Sequence, residues 1–144
     1  MGQISTTTDI PASPEKVWEA ISRPGTYERW LTIHTKWKGE VPETFSQGAS
    51  AVEVVTMLGM PNTITWTVQE YDAPSRLMIT GTGMAGVKTT FAFAVQSDGN
   101  GGSRASVQAE FEGQMIAGAL GKAVEQDGLR NLEESLAKLS ALVA

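Results

Sequence analysis

The sequence predicts an α+β fold: a curved antiparallel sheet of about seven strands wrapped around a long C-terminal helix, with two short helices after the first strand. Three observations predict it. From Gln114 to Val143, Ile116, Leu120, Val124, Leu132, Leu136, Leu139 and Val143 recur at steps of three, four or eight, which draws one apolar stripe down a helix. The middle of the chain instead alternates apolar and polar residues between tight turns, and tight turns join antiparallel neighbours. Between the first strand and that region, Ser13-Pro14-Glu15 combines a capping hydroxyl, a proline at the first helical position and an acid in the first turn. One apolar face per strand and one long helix to cover it make a two-layer unit. No internal repeat or linker interrupts it, so a single domain over residues 1–144 is expected.

Taken in order, Gln3 to Ile10 alternates with Ile4, Thr6, Thr8 and Ile10 on one face. The first helix starts at Pro14 and buries Val17, Trp18 and Ile21; Pro24 opens a second that runs through Tyr27 to about Leu31. Strands are expected at Ile33 to Lys38, Ala51 to Leu58, Thr63 to Tyr71, Arg76 to Thr82, Val87 to Val95 and Ala105 to Phe111. Gly59-Met60-Pro61-Asn62 reads as a turn, and Asp98-Gly99-Asn100-Gly101-Gly102 is the strongest turn signal in the chain. In the closing helix the second half is leucine-rich. The first carries Gly118, Ala119, Gly121, Ala123 and Gly128, which fill little volume and cost about 1 kcal/mol per glycine relative to alanine. A helix tight at one end and thin at the other is expected to close the sheet while leaving space beneath its thin end.

Composition narrows the chemistry. The chain has no cysteine, which excludes disulfides, thiolate catalysis and Cys-ligated metals. Its net charge of −5 gives no counterion-release affinity for a phosphate backbone, and the only local basic run is Lys36-Trp37-Lys38, so no nucleic-acid partner is expected. No apolar run reaches membrane-spanning length, and Met1-Gly2-Gln3-Ile4 lacks the basic and apolar regions of a signal peptide. A cytoplasmic protein without a membrane partner is expected.

Gly81-Thr82-Gly83-Met84-Ala85-Gly86 matches GxGxxG, but Val87 onward alternates as a strand where a dinucleotide site needs a helix opening on the pyrophosphate. It reads as a hairpin turn, and no cofactor is expected. His34 is the only histidine. In a regular strand it shares a face with Lys36 and Lys38, opposite Ile33, Thr35 and Trp37, which favours a solvent-facing or merely hydrogen-bonded side chain. With carboxylates alone to complete it, a transition-metal site is not expected. Glu110 and Glu112 fall on the polar side of their strand. Glu70 continues the face of Ile64, Trp66 and Val68 and is a candidate to point inward. Glu53 shares a face with Ala51 and Val55 while Val52 and Val54 oppose it, so the pattern assigns it to neither side. No acid/base pair stands out, and no catalytic residue is assigned.

Large soft residues are spread over nearly every element, and methionine and tryptophan suit walls that accept varied shapes. Together with the small residues of the closing helix they fit an apolar cavity with few polar anchors. The same residues build filled cores, and composition does not separate the two.

The Ile10-Pro11-Ala12-Ser13-Pro14-Glu15-Lys16-Val17-Trp18 opening, the helix-capped order of strands and the long closing helix resemble the SRPBCC superfamily. This is the helix-grip fold of START lipid-transfer domains, polyketide cyclases and the birch-pollen allergen. Trp30-Leu31-Thr32-Ile33-His34, Gly59-Met60-Pro61-Asn62 with Ile64 and Trp66, and Gly86-Val87-Lys88 are similar to an actinobacterial branch whose members are known as toxins of type II toxin–antitoxin systems. The resemblance runs over essentially the whole chain. It implies a cavity between the long helix and the concave sheet that takes a lipid-like, polyketide-like or other apolar molecule. It also implies two alternatives: a toxin component with an antitoxin or other protein partner, and an enzyme of the cyclase or aromatase kind. RNA cleavage would need basic groups and an acid/base pair that the chain lacks, so a toxin of this sequence is expected to act through protein binding or ligand sequestration.

The walls expected for such a cavity are Trp30, Trp37, Met57, Trp66, Met78, Phe93, Phe111, Met115, Ala119 and Ala123, with His34 or Glu70 as a polar anchor. The protein is expected to be a monomer or a homodimer that binds a small apolar ligand.

Overall fold

The first helix forms where its cap signal places it. In the computed structural model, which describes residues 2–83, 86–113 and 118–143, α1 spans Pro14–Ser22, and the Ser13 side chain accepts the Lys16 backbone N–H. A single 3-10 turn over Pro24–Thr26 leads straight into α2, Tyr27–Trp30. Thr26 holds this joint together: its hydroxyl donates to the Ala20 carbonyl at 2.6 Å and accepts from the Trp30 indole at 3.1 Å. These two helices bury Val17, Trp18, Ile21, Tyr27 and Trp30 in the interior.

Seven strands, β1 Gly2–Ile10, β2 His34–Lys38, β3 Ser50–Met57, β4 Met60–Asp72, β5 Arg76–Thr82, β6 Lys88–Ser97 and β7 Ser103–Glu112, form one antiparallel sheet in the order β1-β7-β6-β5-β4-β3-β2. The last strand returns to pair with the first, while successive hairpins build the rest. The inner face carries Ile4, Val107, Ala109, Phe91, Phe93, Leu77, Ile79, Trp66 and Val68, all buried. The helix α3, Gly118–Val143, crosses this face and buries Gly128, Leu132, Leu136, Leu139 and Val143 against it. The helix was expected from Gln114; residues 114–117 lie outside the described residues.

Three local departures from regular alternation redirect side chains. The expected Gly59–Asn62 turn is shorter: Leu58 and Gly59 have φ of 54° and 73°, the pair of left-handed conformations that a two-residue hairpin turn requires, so Met60, Pro61 and Asn62 belong to β4. Pro61 is accommodated there because β5 pairs with β4 only from Thr65 onward, leaving that stretch bound on one side. The second departure is a bulge between His34 and Lys36, and the third a bulge between Val68 and Glu70. An extra residue in one strand turns everything beyond it to the other face.

Candidate functional site

The two ends of the interior are built differently. Beneath α1, α2 and the second half of α3, aromatic rings meet edge to face: Tyr27 with Trp30 and Phe45, and Trp30 with Phe93 at 6.0 Å. Here α3 is tied to the loop after α2, because the Thr32 backbone N–H donates to Ser135 Oγ at 2.9 Å and the Thr32 hydroxyl lies 2.7 Å from Asn131 Oδ1. At the other end, beneath the first half of α3, lies a cavity of about 170 Å³. Its walls are Ile33, Val55, Met57, Ile64, Trp66, Val87, Phe91 and Phe111, with Leu120 and Val124 from α3, and the β3–β4 hairpin reaches over its mouth. The rim residues Leu58, Met60 and Leu120 are exposed. A hydrogen bond from the Leu58 N–H to Asp127 Oδ2 at 3.0 Å ties the hairpin tip to the helix.

Two glycines shape this end by close approach. A Cβ at Gly81 would stand 2.5 Å from Ile64 Cγ2, so Ile64 and Trp66 lean over the bare backbone of β5. A Cβ at Gly128 would stand 2.8 Å from Ile4 Cδ1 and 3.3 Å from Met57 Cε. Gly128 was expected to leave space under the helix. It does the opposite, letting α3 sink onto β1 and closing the inner end of the cavity.

A polar cluster separates the cavity from the aromatic end. Glu53 is almost fully buried; its Oε1 accepts the Trp66 indole N–H at 2.8 Å and its Oε2 is bound to His34 Nδ1. His34 in turn packs on Trp37, whose ring contacts Tyr27 and Phe45. The bulge in β2 produces this. It sets His34 opposite Val55 and Trp37 opposite Glu53, so both rings enter the interior, where regular alternation had put His34 with Lys36 and Lys38 on the solvent side. Burial, and then the Glu53 charge, push the Tyr27 hydroxyl well above the usual tyrosine range; it stays a neutral phenol donating to the Ile21 carbonyl at 2.7 Å.

Of the residues expected to line a ligand site, Met57, Trp66 and Phe111 lie in the wall of this cavity. Trp30, Trp37 and Phe93 belong to the aromatic end, and His34 is engaged by Glu53. Met78 lies on the outer face of β5, between the buried Leu77 and Ile79 of the inner face. Glu70, expected to follow Trp66 and Val68 inward, is carried by the bulge in β4 to a position opposite Met78, where it is half-exposed and accepts from Arg76 Nε at 2.8 Å. Ala119 is exposed and Ala123 half-buried outside the lining; Leu120 and Val124, one position on, face the cavity. Met115 lies outside the described residues.

Sequence reasoning missed Thr89. It sits on the inner face of β6, 4% exposed, and lines the cavity. Its Oγ1 is the one buried side-chain polar atom without a hydrogen-bond partner among the described residues. Leaving a hydroxyl so costs about 1–3 kcal/mol. Its presence between Val87 and Phe91 in an otherwise apolar inner face was the available signal.

This architecture, a curled seven-strand sheet gripping one long helix, is the helix-grip fold. Residues 1–144 match the family described as "Polyketide cyclase / dehydrase and lipid transport". The chain belongs to that family. It is 32% identical over 136 residues to Toxin Rv0910 of Mycobacterium tuberculosis, covering 94% of each chain. It is 31% identical over 142 residues to the uncharacterized protein Rv1546 of the same organism, covering 99% of each. A START superfamily protein from Mycobacterium smegmatis has the same fold, with a TM-score of 0.77 at 16% identity over 98% of this chain and 96% of that one. Among the described residues, no helix is long and apolar enough to cross a membrane, and no cluster of His, Asp and Glu side chains could hold a metal ion.

Proposed function

We propose that this protein binds a small apolar or amphipathic molecule in the cavity between the sheet and the first half of α3. The observation that carries the proposal is the cavity itself, about 170 Å³ with apolar walls and a rim of exposed apolar side chains. An apolar cavity of about 150 Å³ suffices for benzene. A ring or a short acyl segment therefore fits without rearrangement, and anything larger requires the β3–β4 hairpin to move. The family description, which names lipid transport, supports the same reading. The test is native mass spectrometry of gently purified protein, followed by titration of tryptophan fluorescence, since Trp66 is a wall. Adduct masses that disappear in a Val124→Phe variant support the proposal. No adduct, and no response to any of a panel of small aromatic and short-chain compounds, overturns it.

A second reading is a toxin component acting through protein interaction, favoured by the naming of the relative Rv0910. Leu58, Met60 and Leu120 then belong to a contact surface rather than a portal. Growth arrest on expression, relieved by a neighbouring gene's product and unaffected by Val124→Phe, distinguishes it. The enzyme reading based on His34 and Glu70 finds no support in the geometry, because one is held by Glu53 inside and the other by Arg76 at the surface.

A further inference from the structure

We infer that the cavity selects a neutral ligand carrying one hydroxyl or carbonyl group, and that Thr89 Oγ1 is the atom that holds it. This rests on the ligand-binding reading above and names the chemistry of its ligand.

Thr89 is unpaired because its neighbours are apolar. Its cross-strand neighbours on the inner face are Gly81 and Phe111, and its chain neighbours facing the cavity are Val87, just before β6, and Phe91. None of the four side chains offers a donor or acceptor. The hydroxyl both donates and accepts, so it matches an alcohol or a carbonyl equally. The other polar groups of the wall are differently placed. The Trp66 N–H is already given to Glu53, and the Asn62 amide packs against Gly83 near the mouth, where a Cβ on Gly83 would stand 3.0 Å from its nitrogen. Thr89 is therefore the polar residue of the interior wall, and its hydroxyl, buried while the cavity is empty, meets a ligand by rotation about the Cα–Cβ bond.

Charge excludes an ionised ligand. The described lining contains no Lys, Arg or His, and the carboxyl group of Glu53 stands directly behind Trp66. A carboxylate in this cavity would lose its water and meet no cation.

The test uses three single-ring probes with one skeleton, toluene, benzyl alcohol and benzoate, titrated calorimetrically into the 144-residue protein and its Thr89→Val and Thr89→Ser variants. Valine keeps the shape and removes the hydroxyl. In Thr89→Val the alcohol is expected to bind about tenfold more weakly while toluene binds equally or more tightly, and Thr89→Ser is expected to keep the alcohol's affinity. In the unaltered protein the carboxylate is expected to bind at least about tenfold more weakly than the alcohol. Without ligand, Thr89→Val is expected to melt about 3 °C higher, because it removes an unsatisfied buried group. Alcohol binding unchanged in Thr89→Val, carboxylate binding as strong as alcohol binding, or a ligand-free variant that melts lower each overturns the inference and leaves the cavity reading standing. Failure of all three probes to bind the unaltered protein overturns both.

Discussion

The two ends of the interior use the same residue types to opposite effect. Under α1 and α2, Tyr27, Trp30, Phe45 and Phe93 interlock, and the leucines of α3 complete the packing. Under the first half of α3, Trp66, Phe91 and Phe111 also meet ring to ring, yet they surround a hollow. The difference is in what covers them. At the filled end α3 is tied down through Thr32, Asn131 and Ser135, and two further helices add their side chains. At the hollow end the cover is the start of one helix and a hairpin tip bonded to that helix through Asp127. Aromatic residues thus make a core or a pocket according to how many layers press on them.

The partition between the two ends is the place to break that contrast. Glu53→Ala leaves the His34 Nδ1 and the Trp66 Nε1 without their common partner, and is expected to destabilise the protein by about 3–5 kcal/mol in urea denaturation. Gly128→Leu drives a side chain into Ile4 and Met57, where the helix is closest to the sheet; a loss of about 1–3 kcal/mol is expected from overpacking. Tyr27→Phe belongs to the filled end and should lose about 1 kcal/mol with the bond to the Ile21 carbonyl. It also has a pH signature. The folded protein keeps the Tyr27 proton where the unfolded chain releases it at about pH 10, so this group's contribution is complete below that pH and lost as pH rises above it. Thermal melts at pH 9 and pH 11 should show a smaller alkaline loss in Tyr27→Phe than in the unaltered protein. Smallest in stability is Val124→Phe at the hollow end, where the larger side chain enters empty space: a change within about 1 kcal/mol is expected, with ligand binding abolished. A large destabilisation by Val124→Phe, comparable to that of Glu53→Ala, would mean that the two ends do not differ as described.

The order of elements was legible, because each rests on local chemistry: the Ser13-Pro14 cap, the glycine turns and the periodicity of the last helix. The candidate site was legible only in part. Trp66 and Phe111 were expected because strict alternation holds around them. Glu53 could not be placed because Val54, on the opposite face, is buried too, so the strand shows no polar side. Thr89 was passed over because a lone hydroxyl in a strand has no periodic signature. The faces that regular alternation gives His34 and Glu70 both differ from the structure for one reason, since in each case a single bulged residue reverses the face.

By itself, the sequence determined the fold class, the succession of strands and helices, and an acidic, cysteine-free chemistry, since these follow from the composition and from patterns a few residues long. Tertiary structure decided which polar groups enter the interior and whether the interior is filled. Both depend on one-residue shifts in strand register and on how closely a glycine lets a helix approach a sheet, and those distances are set by packing between segments far apart in the chain.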